Sequence, residues 1–243
     1  GLSRQTVRHA LGILEEEGMV VRRRGSGTYI GDGRFAGAVG RTRIAVVTTY
    51  VDSYIFPRTI RGIENYLFER GYSVQIAFTS NLLERERVIL EDLAERDDVA
   101  GIIIEATKSG LPNPNLPLIR RICEQNIPVL FINSFYPQLS LPHVTLNDRL
   151  AAELAVKYLA DAGHRKIGAL MKFDDGQGHL RYAGYLDTCR RLGIPAGDER
   201  MVWLDTEGEA HLHDYRDRIL RNFKDCTAVL CYNDKLAIRL EAL

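Results

Sequence analysis

From Arg43 onward, short β-branched runs alternate with longer amphipathic stretches. The runs at 44–47, 74–78, 102–104 and 129–132 are nearly all apolar, the pattern of strands buried on both faces. Between them, 58–70, 83–96 and 118–125 carry apolar residues at helical spacing. Gly71 and Gly163 each stop a helix ahead of a strand. A second series follows: helix 149–162, strand 166–171, helix 180–192, strand 201–204, helix 212–223, strand 228–231, then a helix from Lys235. Such alternation predicts βαβ units, hence an α/β fold of parallel sheet with right-handed crossovers. There are more units than one doubly wound sheet needs. Two sheets with a cleft between them fit better than a closed barrel, though alternation alone leaves the barrel open.

The pattern before Arg43 is different. Ser3 to Gly18 reads as one helix, with Ser3 a candidate N-cap and Gly18 a candidate stop. Val7, Ala10, Leu11 and Leu14 form its apolar face, and Arg4, Gln5 and Arg8 project elsewhere from its first two turns. Residues 19–30 predict two short strands around Gly25-Ser26-Gly27. Arg22, Arg23 and Arg24 beside that turn suit a phosphate backbone, and equally a solvated surface run. Glycine fills four of the ten positions 31–40, so this stretch reads as a flexible connector. Its G-x-G precedes a strand instead of following one, which excludes a dinucleotide fingerprint. The expected organisation is 1–30, a linker at 31–42, and 43–243, the last split into 43–146 and 147–243. The chain opens inside a motif and stops inside a helix, so a fragment truncated at both ends is expected.

Composition narrows the classes. Hydrophobic content of 45% and charged content of 26% are those of an ordinary globular protein. Lys+Arg and Asp+Glu balance at 32 each, so net charge neither announces nor excludes a small basic module. No apolar run reaches the ~18 residues of a membrane span, and no membrane partner is expected. Four cysteines without a C-x-x-C pair argue against a disulfide scaffold or zinc module. Cys226 and Cys231 read as buried thiols on a strand, and a reducing cytoplasm is the expected compartment.

Ligands of open parallel sheets bind beyond the carboxyl ends of the strands. There the sequence places Thr48, Thr49, Tyr50, Asp52, Tyr54, Glu105, Thr107, Lys108, Asn133 and Ser134. The second series adds Asn147, Asp148, Lys172, Asp174, Asp175, Gln177, Arg181, Asn233 and Asp234. Mixed donors, acceptors and aromatic rings are what a polyol needs. Asp148 and Asp234 are read first as helix caps. Arg181, placed in the first turn of helix 180–192, gains nothing from the dipole there and calls for an anionic or ligand partner. An enzyme is not expected. There is no G-x-S-x-G and no Walker loop. His211 and His213 would point apart on a helix, so with Glu209 and Asp214 they make a poor metal site. No cofactor is expected.

Ser3 to Ile30 resembles the second half of a GntR-type winged helix-turn-helix, a recognition helix "SRxTVRxAL" followed by a wing "RRxGxGTYI". That resemblance implies that Ser3, Arg4, Thr6 and Arg8 face operator DNA, with Arg24, Gly25 and Gly27 on the wing. "FIN" at a strand end, "RYAGY" opening a helix and "CYND" closing a strand resemble the LacI-type effector domain, whose fold is shared with periplasmic sugar-binding proteins. Residues 48–67, "EATKSG" and "FDDGQG" resemble the chimaeric GntR/LacI family of arabinose-responsive repressors. The resemblance implies a sugar effector, arabinose or a related pentose, and a homodimer. It implies Asn133, Arg181 and Asn233 as sugar contacts, with Tyr54, Glu105, Lys108 and Lys172 as additions. A transport-type sugar-binding protein is the alternative, and a small-molecule enzyme on a Rossmann-like scaffold a weaker one.

Overall fold

The computed structural model describes residues 20–23, 27–30, 41–51 and 55–243. The expected recognition helix, Arg24, Gly25, most of the linker and Tyr54 lie outside the described residues. The expected strand pair is present: β1 (Val20–Arg23) and β2 (Gly27–Ile30) pair antiparallel, Arg23 opposite Gly27.

Beyond the linker the chain builds two lobes. The first holds β3 (Arg43–Thr48), α1 (Phe56–Phe68), β4 (Ser73–Phe78), α2 (Leu83–Ala94), β5 (Val99–Ile104), α3 (Leu116–Glu124), β6 (Val129–Ile132) and β7 (His143–Val144). Its five strands run parallel in the order β4-β3-β5-β6-β7. Alternation along β3 explains the layering. Ala45 and Val47 face a core with Leu90, Ile102, Ile119 and Phe131, while Val46 faces Phe56 and Ile60 of α1. The two-residue β7 was not predicted, being too short to show a period.

The second lobe holds α4 (Asp148–Asp161), β8 (Ile167–Lys172), α5 (Gly176–Arg191), β9 (Met201–Leu204), α6 (Thr206–Ala210), α7 (Arg216–Phe223), β10 (Ala228–Cys231) and α8 (Asp234–Glu241). Its described strands run parallel in the order β10-β8-β9. β8 is buried along its whole length, and its Leu170 and Met171 share a core with Val156, Tyr185, Val202 and Leu236. The expected two-sheet α/β architecture is therefore observed.

Three details of the second lobe differ from expectation. The helix placed at 180–192 begins four residues earlier, at Gly176. A Cβ on Gly178 would overlap the Lys172 carbonyl, so that glycine serves close helix–strand packing. Arg181 consequently lies in the second turn, and the argument from a first-turn dipole does not apply to it. The helix placed at 212–223 is split into a 3₁₀ turn, Leu212–Tyr215, and α7, and α6 ahead of it was not expected. Asp205 caps α6 by accepting from Gly208 N at 2.6 Å. Cys226 precedes β10 instead of lying on it, and Cys226 and Cys231 are half-buried free thiols. Burial pushes Cys231 up to about 12, which keeps it protonated.

Candidate functional site: the facing strand ends

In each lobe the first strand (β3 or β8) is flanked by both of its successors, so a topological switch point lies beside it. Loops beyond the strand ends of the two lobes meet where Gly110 N donates to Asp174 O (3.0 Å) and Gly176 N to Ser109 Oγ (2.9 Å).

Glu105 follows β5 and is 5% exposed. Its Oε2 accepts from Thr49 N (2.8 Å) and Thr49 Oγ1 (2.5 Å), and its Oε1 from Asn133 Nδ2 (2.6 Å). Burial raises its pKa above the ordinary carboxylate value, against the pull of these donors. Asn133 follows β6 with φ of +63°. Gln177 Nε2 on α5 reaches across and donates to Asn133 O (3.1 Å) and Oδ1 (3.2 Å). The Tyr232 hydroxyl then lies 2.9 Å from Gln177 Oε1 and 3.0 Å from Asp175 Oδ2, its single hydrogen serving one of them.

Asp175 accepts from Lys172 Nζ at 2.9 Å, and Lys172 also faces Glu209 at 3.5 Å. Lys172 is 5% exposed. Burial works against its charge, but Asp175, Asp174 and Glu209 outweigh that and raise its pKa. Arg181 binds Asp148 through Nε and Nη2, both 2.8 Å from Oδ1, and Nη1 donates to the Tyr232 carbonyl. Its guanidinium carbon stands 4.7 Å from the Tyr232 ring centroid.

A polar chain therefore runs from Thr49 and Glu105 through Asn133, Gln177, Tyr232 and Asp175 to Lys172. It joins both lobes. Of the implied sugar contacts, Glu105, Asn133 and Lys172 belong to it, and Arg181 touches its Tyr232; Thr49, Asp175 and Gln177 were placed at strand ends only. Lys108, with φ of +47°, enters through its backbone, donating to Asn81 Oδ1 at 3.0 Å. Asn233 caps α8, its Oδ1 accepting from Leu236 N at 2.9 Å. Asn147 likewise caps α4 through Leu150 N (3.0 Å). In both places the cap is the residue before the aspartate, so the cap readings of Asp148 and Asp234 are corrected. These residues do not share one cavity. Asn133 lines a recess of about 430 Å³ with Asp148 and Gln177, whereas Arg181 and Asn233 line another of about 350 Å³ with Tyr232. Gln177, Tyr232 and Asp148 were not selected as sugar contacts, although all three stand at strand or helix ends where polar residues gather.

Strain marks the same loops. Ser80, Asn81, Lys108 and Asn133 all have positive φ and all lie on first-lobe loops beyond strand ends. Among the described residues no group of three His, Cys, Asp or Glu side chains could hold a metal ion.

Residues 1–30 match the family "Bacterial regulatory proteins, gntR family", and residues 156–243 match the "Periplasmic binding protein-like domain". The two matches pair a GntR-family segment with a periplasmic-binding-protein-like segment in one chain. It is 38% identical to the "Arabinose metabolism transcriptional repressor" of Halalkalibacterium halodurans over 98% of its own length and 65% of that protein's. Against the protein of that name from Geobacillus stearothermophilus it is again 38% identical, covering 98% of this chain and 66% of the other. It thus spans just under two thirds of these relatives. Among solved structures, the transcription regulator CcpA of Lactococcus lactis superposes with a TM-score of 0.68 at 20% identity, covering 83% of this chain and 72% of that one.

Proposed function

We propose that the chain is part of a transcriptional repressor whose operator binding is released by a small sugar held between the lobes. L-arabinose or a related pentose is the effector this reading names. The relatives' name supports that choice, and the site's chemistry is compatible with it. The GntR-type match over residues 1–30 favours a repressor over an exported binding protein, which has no use for a recognition helix. Ser3, Arg4, Thr6 and Arg8 read the operator, with Arg24, Gly25 and Gly27 on the wing. Glu105, Asn133, Lys172, Arg181 and Asn233 contact the sugar, with Tyr54 and Lys108 at its edge. The protein works as a homodimer in the cytoplasm, with an effector unit at 43–243 divided near residue 146.

The observation that carries this reading is the hydrogen-bonded join of Gln177 to Asn133. It puts carboxylate, amide and ammonium groups from two parallel sheets into one polar surface, and a polyol can exchange with such contacts hydroxyl for hydroxyl. Calorimetry of the full-length repressor against a pentose panel tests it. Saturable binding of L-arabinose or another pentose, with hexoses weaker, is expected. Binding of no pentose would overturn the effector assignment.

A further inference from the structure

We propose that Asn81 is a positioning residue that latches the two lobes together and thereby aligns the halves of the effector site. This rests on the effector reading above. Asn81 follows β4, is 5% exposed and adopts φ of +56°, directly after Ser80 at +50°. Two successive non-glycine residues in this region are costly, so the surrounding contacts must hold them there. Ser80 N donates to Thr49 O at 2.9 Å, and Asn81 N donates to Thr79 Oγ1 at 3.2 Å.

The side chain this loop presents touches three other loops. Its Oδ1 accepts from Lys108 N at 3.0 Å, within the first lobe. Its Nδ2 donates to Thr206 Oγ1 (2.9 Å) and Asp174 Oδ2 (3.3 Å), both in the second lobe. Asp174 is 1% exposed, and its Oδ2 also accepts from Thr206 N at 3.0 Å. Its backbone carbonyl accepts from Gly110 N at 3.0 Å, a further tie between the lobes beside that of Gln177 to Asn133.

Asp174 Oδ1 is buried and has no hydrogen-bond partner among the described residues. A buried carboxylate with one unpaired oxygen is expensive, and opening the lobes would rehydrate it. Closure therefore favours donors at Oδ2, and of the two that reach it Asn81 supplies the one that crosses. Asp174 sits between Lys172 and Asp175 of the polar chain, and Lys108 lies three residues after Glu105. Holding Asp174 and Lys108 on one side chain fixes the register of the two half-sites.

The test exchanges the partners. In the full-length repressor, Asn81→Asp sets one carboxylate against another and should weaken pentose binding by about tenfold or more. Adding Asp174→Asn removes that repulsion and lets the new amide donate to the carboxylate at position 81, while Thr206 N loses its acceptor. Affinity should then recover at least about threefold over Asn81→Asp, since the pair couples directly. Hydrogen exchange supplies a readout that needs no sugar. Segments containing Gly110 and Thr206 should exchange faster in Asn81→Asp and recover in the swap. If Asn81→Asp does not fold, Thr206→Val removes one of the two second-lobe acceptors of Asn81 Nδ2 and should produce the same two changes in milder form. A swap that recovers neither readout would make Asn81 a support for its own loop and overturn the proposal. A wild-type protein that binds no pentose would overturn the effector reading instead, leaving the latch to stand or fall on exchange alone.

Discussion

Arg181 and Asp148 meet inside the second lobe, with Nε and Nη2 of the guanidinium both 2.8 Å from the same carboxylate oxygen. The Asp148 side chain is 2% exposed and that of Arg181 17%. A third donor goes to the Tyr232 carbonyl, which leaves two N–H groups of the guanidinium, one on each terminal nitrogen. Arg181 thus comes to its proposed sugar contact already oriented by its own lobe.

Arg181→Lys keeps the charge but loses the planar fork. It should fail nearly as badly as Arg181→Ala in sugar-induced thermal stabilisation. It should also cost about 1–3 kcal/mol of stability, less than for a fully buried pair because Arg181 is partly exposed. A Lys variant that keeps the full sugar-induced rise in Tm would show the arginine to be structural only.

Glu105 gives a pH signature. Its folded pKa is raised by burial, so the folded chain takes up this proton before the unfolded chain does. Its contribution to stability therefore grows as pH falls from above the folded pKa toward the unfolded value of about 4.3. Wild type should gain Tm relative to Glu105→Gln as pH is lowered from 7 to about 4. A difference that stays constant across that range, or grows toward neutral pH, would contradict the assignment.

Two glycines in helices should behave oppositely. A Cβ on Gly184 would overlap the Arg149 carbonyl where α5 crosses α4, so Gly184→Ala should cost about 1–3 kcal/mol or more. Nothing lies within 4 Å of a Cβ on Gly62 in α1, so Gly62→Ala should stabilise by about 0.5–1 kcal/mol. Denaturant midpoints of the pair check both signs, and equal effects would refute the packing account.

At Asn233 the cap can be separated from the ligand. Asn233→Asp keeps an oxygen for Leu236 N and should leave stability within about 0.5 kcal/mol, whereas Ala should cost about 1 kcal/mol. If the amide nitrogen also serves a sugar hydroxyl, the Asp variant should be stable yet bind pentose more weakly. Undiminished binding by Asn233→Asp would confine the residue to capping.

The layers were legible because β-branched runs such as 44–47 and 129–132 have one good explanation each, a strand buried on both faces. Gly176-Gln177-Gly178 misled, since glycine demanded by tight packing looks the same in sequence as glycine demanded by a turn. Lys172 and Glu105 were found from strand ends alone. Gln177 was placed there too but not as a sugar contact, and Asn81 was not placed at all, because each acts by reaching a loop of the other lobe, and no local pattern records such a distance. Asp148 and Asp234 were misread because both members of each Asn-Asp pair can cap, and only the backbone geometry decides which one does.

The central claim is that sugar and operator compete through the state of the cleft. Coupling of this kind is reciprocal, so operator DNA must weaken sugar binding by the factor by which sugar weakens operator binding, typically about 5–150-fold. The decisive measurement is pentose affinity of the full-length repressor by titration, with and without saturating operator. The account predicts weaker sugar binding on DNA by the same factor measured in the reverse experiment. Equal sugar affinities in the two states, in a protein that binds its operator, would contradict it.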